Sequence, residues 1–100
     1  MNQRYQQLCF RECDEALKRL DTLLPIYRAF ADSGSFHFAE AQIARLKTDV
    51  YRARTAERTP RELAAHLARL AQALADAVAE WQGEEFYALG SEHASVARRA

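Results

Sequence analysis

The fold is decided by the stretch Thr59-Pro60-Arg61-Glu62-Leu63-Ala64-Ala65-His66-Leu67-Ala68-Arg69-Leu70, which marks the start of one long helix and the face that it buries. Thr59 is a preferred N-cap residue, and Pro60 suits the first helical position. Glu62 follows three residues after Thr59 and completes the pattern of a capping box. Gly83 lies where a left-handed C-terminal cap is expected. The pattern therefore predicts a helix over residues 60–82.

The apolar residues of this helix recur in steps of four and three, which is typical of a face that packs on other helices. This predicted stripe consists of Leu63, Leu67, Leu70, Leu74, Ala77 and Trp81. Eight alanines between Ala64 and Ala79 allow neighbouring helices to approach closely. We therefore expect the third helix to be the scaffold of the bundle.

A second long helix lies at the start of the chain, over residues 2–31. Its apolar positions follow the same spacing and include Cys9, Cys13 and Leu20. Pro25 falls inside this pattern, where a proline removes one backbone donor and clashes with the preceding turn. Because the apolar period continues through Pro25 without a phase shift, the sequence favours a continuous helix kinked there. A break at Leu24 is the alternative.

The segment Asp32-Ser33-Gly34-Ser35 predicts the first turn, with Gly34 ending one helix and Ser35 capping the next. The helix that follows, over residues 36–56, has a stripe of Phe36, Ala39, Ile43, Leu46, Val50 and Ala53. The connections are short, so neighbouring helices should be antiparallel.

The predicted fold is therefore all-α: an antiparallel bundle of three main helices, with the first kinked at Pro25. Residues 84–89 are expected to form a short C-terminal helix that ends at Gly90, or else part of a tail. Residues 1–90 form the predicted domain, and residues 91–100 are expected to be a flexible tail.

Composition limits the size of the core and the class of protein. Alanine occupies 20 of the 100 positions, and alanine buries little area. A second copy of the chain or another protein would enlarge the buried surface, so a homodimer is plausible.

Lys+Arg and Asp+Glu both number 14, so no net charge favours nucleic acid or a membrane. No segment predicts a signal peptide or a membrane span, which makes the cytoplasm the expected compartment. Twelve arginines against two lysines suggest a GC-rich bacterial genome.

The residues that carry chemistry do not form a recognisable catalytic or metal motif. Cys9 and Cys13 share a helix face, but a metal site needs three or four ligands, and free cysteines are common in packed cores. Glu62 and His66 also share a face, yet Glu62 is explained by the capping box. No phosphate-binding loop or nucleophile motif is present. The sequence therefore predicts no catalytic residue, no metal and no cofactor, and it argues against an enzyme.

The surface offers two candidate interfaces. Some aromatic residues, Phe38 and Tyr51 among them, lie off the apolar stripe, and aromatic residues outside a core are typical anchors of protein interfaces. The second helix and the turn after it are rich in bases. The full candidate surface is Phe38, Tyr51, Arg45, Lys47, Arg52, Arg54, Arg58 and Arg61.

These features favour a small non-enzymatic interaction module, such as a bacterial adaptor, inhibitor or chaperone-like protein that binds another protein or itself. The alternative is an accessory or regulatory protein that binds nucleic acid through the basic face of residues 45–61. Phosphate contacts would make that binding strongly dependent on salt.

Overall fold

The structure, a computed structural model, describes the backbone of residues 3–99 and the side chains of residues 3–84. It contains three helices: α1 (Gln3–Arg28), α2 (Ser33–Thr55) and α3 (Arg61–Arg99). Within the described backbone there is no β-strand. The prediction of an all-α bundle of three helices is confirmed.

α1 runs through Pro25 as one helix, so the alternative of a break at Leu24 is wrong. Pro25 is exposed. A proline at this position leaves the carbonyl of Asp21 without its helical donor, and on an exposed face water can take the donor's place. The buried residues of α1 include Cys9, Cys13 and Leu20 on the opposite side of the helix.

The turn between α1 and α2 is capped by Asp32. Its side chain accepts the backbone N–H of Ser35 at 2.8 Å and the Ser35 hydroxyl at 2.7 Å. α2 therefore begins at Ser33, and α1 ends at Arg28, three residues earlier than predicted. The predicted roles of Gly34 and Ser35 are wrong because both residues lie in the first turn of α2, where the Asp32 carboxylate accepts the free N–H of Ser35.

The Asp32 cap predicts a specific loss of stability in acid. The two hydrogen bonds from Ser35 lower the pKa of the Asp32 carboxyl in the folded chain. Its contribution is therefore complete above the unfolded pKa of about 3.9, and it is lost as the pH falls through the lower folded pKa. Asp32→Asn keeps a capping oxygen but does not titrate. The difference in urea midpoint between the wild type and Asp32→Asn should shrink as the pH falls from about 5 to about 2. Glu15→Gln, at an exposed position of α1, is the control. A difference between the wild type and Asp32→Asn that stays constant with pH would contradict the assignment.

The turn between α2 and α3 contains Glu57 in a left-handed conformation, with φ 54°. The Glu57 carbonyl accepts the side-chain amide of Gln6 at 2.8 Å, which ties the start of α1 to this turn. The predicted capping box is wrong. α3 begins at Arg61, the Pro60 carbonyl accepts the N–H of Ala64 at 2.8 Å, and the described hydrogen bonds include none from the side chain of Thr59. Buried Pro60 is therefore the residue that leads into the helix.

α3 continues through Gly83, so the predicted left-handed cap at this residue is wrong. Strong helix formers on both sides outweigh the cost of one glycine in the helix interior. The backbone predicted as a short separate helix belongs to α3 as far as Arg99. The side chains of Phe86, Tyr87 and Leu89 lie outside the described residues, and the flexibility of residues 91–100 stays a prediction.

Replacing Gly83 with alanine should stabilise the protein by about 0.5–1 kcal/mol, because alanine has the higher helix propensity. A Cβ at this position would meet no atom within 4 Å. Urea unfolding followed by circular dichroism measures the change. Gly34→Ala is the matched control, with a smaller expected gain because its Cβ would lie 3.4 Å from the Asp32 carboxylate. A loss of stability in Gly83→Ala would instead support a left-handed cap.

Side-chain pairs give the relative directions of the helices. Arg54 of α2 lies 2.8 Å from Asp14 of α1, and Lys47 lies 2.9 Å from Asp21, so α1 and α2 are antiparallel. Since α2 and α3 are also joined by a short turn, α1 and α3 are parallel. α1 packs most extensively on α3 and less on α2, while α2 and α3 touch little. The side between α2 and α3 is therefore the least closely packed of the three, and we call it the open side of the bundle.

The buried stripe of α3 is turned relative to the predicted one. Leu67 and Leu74 are buried as predicted, but their buried neighbours are Ala64, Ala71 and Val78. The other members of the predicted stripe, Leu63, Leu70, Ala77 and Trp81, are half-buried. The alanines let the backbone of α3 approach α1, and the larger side chains lie at the edge that faces α2. The α1 and α2 stripes, including Leu20 and Ile43, are buried as expected.

Candidate protein interface

The open side of the bundle forms a groove between α2 and α3. Its α3 wall carries Leu63, Leu70 and Ala77, which share one flank of the helix at intervals of seven residues. Two depressions lie along it, one at each end. We call the whole surface the α2–α3 groove, and its ends the aromatic depression and the basic depression.

The aromatic depression has a volume of about 590 Å³ and lies near the start of α2. Phe38 borders it with 71% of its surface exposed, beside Tyr27 of α1 and Leu70 of α3. Asp32 is the charged residue of its lining. The lining also includes Ser35 and Gln42, so the depression combines apolar and polar groups and is large enough to accept side chains of a partner.

The basic depression has a volume of about 550 Å³ and lies at the turn between α2 and α3. Three arginines line it: Arg52, Arg58 and Arg61. Asp49 and Glu62 lie in the same lining, so the local charge is positive by one. Its apolar lining residues are Ala53, Pro60 and Leu63, and Leu63 continues the α3 wall of the groove.

The two predicted aromatic anchors do not lie on one surface. Phe38 and Tyr51 are 71% and 68% exposed, as an interface anchor requires. At 100° per residue, however, they are about 140° apart around α2. Phe38 belongs to the α2–α3 groove, whereas Tyr51 projects on the opposite flank. The structure therefore supports Phe38 as part of the groove and makes Tyr51 a natural control.

The predicted basic residues of α2 are also divided between two flanks. Lys47 binds Asp21 at 2.9 and 3.1 Å, and Arg54 binds Asp14 at 2.8 and 3.1 Å. The guanidinium of Arg54 also lies 4.6 Å from the centre of the Phe10 ring. Arg45 and Arg52 lie about 160° away around the helix. Residues 45–61 therefore do not form a single basic face, and only Arg52, Arg58 and Arg61 are gathered at the groove.

The two thiols belong to the core. Cys9 and Cys13 are free and buried. Burial is the main cause that raises the pKa of the Cys13 thiol to about 11, and the carboxylate of Asp14 adds to it. Cys13 is thus a neutral thiol at physiological pH, and such a thiol is a weak nucleophile and a weak metal ligand. Among the described residues, no group of three or more His, Cys, Asp or Glu could hold a metal ion.

Three residues that the sequence assigns to the core lie along the groove in the structure: Leu63, Leu70 and Ala77. Trp81 stacks on Phe30 at 4.7 Å, with an angle of 13° between the rings. One pattern in the sequence indicates the orientation of α3 that the structure shows. A stripe of Ala64, Leu67, Ala71, Leu74 and Val78 has the same spacing as the leucine-rich one and fits the same helix.

Fold and site together define a class: a helical bundle with an open, partly apolar groove that is basic at one end. Comparisons with protein-family models, with curated proteins and with solved structures found no match. Over their described residues, none of the helices has the length and apolar character required to cross a bilayer.

Proposed function

We propose that this chain is a non-enzymatic module that binds another protein chain in the α2–α3 groove, in the manner of an adaptor, inhibitor or chaperone. One observation carries the proposal: the groove leaves Phe38 71% exposed at the edge of a cavity of about 590 Å³ that Leu70 and Leu74 also line. Exposing a phenylalanine in this setting costs free energy, and covering it with apolar groups of a partner recovers that energy.

The form of the groove suits an amphipathic helix as the bound segment. The α3 wall repeats its apolar residues every seven positions from Leu63 to Ala77, a rise of about 21 Å. A helix of about four turns matches that length, and it can insert apolar side chains at intervals of three and four residues. Open grooves between helices commonly bind partners in this way.

A photo-reactive phenylalanine analogue at position 38 tests the proposal. In the cells that produce the protein, irradiation should yield crosslinked protein adducts from position 38. The same analogue at position 51 is the matched control, because Tyr51 is equally exposed but lies on the other flank of α2. Mass spectrometry identifies the adducts. Equal adducts from both positions, or none from position 38, would refute a role for the groove.

The alternative of nucleic-acid binding rests on Arg52, Arg58 and Arg61, which line one depression. Phosphate contacts by these residues would produce binding that weakens steeply with salt. A gel shift at low salt that Arg52→Glu removes and Phe38→Asp leaves intact would favour the alternative. We rank it second, because Lys47 and Arg54 already pair with carboxylates of α1.

A further inference from the structure

We infer that the occupant of the α2–α3 groove is a second copy of this chain, placed antiparallel across it by a two-fold axis. The inference rests on the proposed function, since it names the partner of the same groove. Four observations carry it: the charge at the basic end, the charge at the opposite end, the register of α2 against α3, and the size of the face.

The two ends of the groove have opposite charge. Arg52, Arg58 and Arg61 lie at the basic depression. At the other end, Asp32 lines the aromatic depression, and exposed Glu80 and Glu84 follow on α3. Between Gln72 and Glu84 the chain has no lysine or arginine. A parallel second copy would place like charges together, whereas an antiparallel copy places the basic end of each chain over the acidic end of the other.

The register of the groove also suits a two-fold axis. Phe38 lies level with Ala77, and Arg52 lies level with Glu62, because each pair lines one depression. An axis near Leu70 is then about 10 Å from Phe38 in one direction and about 10 Å from Leu63 in the other. The axis lies in the interface and crosses the helices, so α2 of one copy faces α2 of the other. The operation therefore brings Phe38 of one copy over the basic depression of the other, on the side of Arg52, and the reverse contact follows by symmetry. The exposed Phe38 side chain of each copy is covered by the same operation.

The area of the α2–α3 groove sets the expected affinity of the dimer. From Leu63 to Ala77 the groove is about 21 Å long, and two helices side by side are about 20 Å wide. This footprint of roughly 420 Å² per copy is smaller than the roughly 800 Å² of a standard stable interface. We therefore expect a reversible dimer with a Kd in the micromolar range, and its charge pairs make it weaker at high salt.

Sedimentation equilibrium of the full chain from about 0.1 µM to about 100 µM tests the inference over the range where a micromolar dimer dissociates. The wild type should show a concentration-dependent dimer. Phe38→Asp should abolish it, and Tyr51→Asp should leave it unchanged. A wild type that is monomeric throughout, or equal losses in both variants, would overturn the inference.

Charge reversal tests the antiparallel arrangement. One variant carries Arg52→Glu and Arg58→Glu, and the other carries Glu80→Lys and Glu84→Lys. Each variant alone should dimerise at least about tenfold more weakly than the wild type, because like charges then meet at both ends. An equimolar mixture should form a heterodimer at least as strong as the wild-type dimer. A mixture of folded variants that fails to associate would overturn the arrangement.

These experiments separate the inference from the proposed function. If the wild type is a monomer but position 38 crosslinks to a different protein, the groove is an interface and self-pairing is wrong. If position 38 crosslinks to nothing and the chain is also monomeric, both are wrong.

Discussion

Replacing Leu67 with alanine should destabilise the protein by about 2–5 kcal/mol, the range found when a fully buried leucine is truncated in a packed core. Leu67 has no exposed surface, and it lies in the core cluster with Leu20 of α1 and Ile43 of α2. The loss contains the transfer free energy of the removed carbons and the cost of the cavity that remains. Since small domains are stable by about 5–15 kcal/mol in total, the change should be large in urea unfolding.

Leu63→Ala is the matched control, because the sequence assigns Leu63 and Leu67 to the same stripe while the structure separates them. Leu63 is half-buried at the edge of the groove, so less area is exposed on truncation and no closed cavity is left. Its loss should be well below that of Leu67→Ala. Equal losses of stability in the two variants would mean that the stripe predicted from the sequence faces the core, and not the observed stripe that contains Ala64 and Ala71.

The helices could be predicted from the sequence because their signals are local. Apolar spacing, alanine content and the positions of Pro60 and Asp32 each depend on a few neighbouring residues. The ends of the helices were predicted less well. Several residues that can cap a helix lie close together in the chain, and only the folded turn shows that Asp32 accepts the N–H of Ser35.

The orientation of α3 could not be predicted, because it depends on contacts between helices. A helix rich in both leucine and alanine offers two faces that differ by a small rotation. The leucine face buries more apolar area, whereas the face of Ala64 and Ala71 allows a closer approach to α1. The structure buries the alanines together with Leu67 and Leu74, and leaves Leu63 and Leu70 at the edge.

The candidate site was predicted in its residue types but not in its arrangement. Phe38 and the arginines of the turn were identified because exposed aromatics and clustered bases are visible in the sequence. Which of these residues share a surface could not be predicted, because Tyr51 and Arg54 are near Arg52 in sequence but point to another flank of α2. Even the pairing of Arg54 with Asp14 joins residues 40 positions apart, which no local pattern indicates.

Ala71→Leu should destabilise the protein by about 1–3 kcal/mol, the usual cost of extra methylenes in a packed core. Ala71 is 1% exposed and lies in the same cluster as Ala16 of α1, where its small size permits close approach of the two helices. A leucine here must push α1 and α3 apart or adopt a strained rotamer. Urea unfolding followed by circular dichroism measures the loss.

Ala65→Leu is the matched control for this substitution, because Ala65 is an exposed residue of the same helix. Leucine and alanine have similar helix propensities, so the stability of this variant should stay within about 0.5 kcal/mol of the wild type. The stripe predicted from the sequence places Ala71 outside the seam, where leucine would be tolerated as well as at position 65. A clear difference between the two variants therefore requires the observed stripe that buries Ala71, and with it the groove in which Leu70 is half-buried beside Phe38.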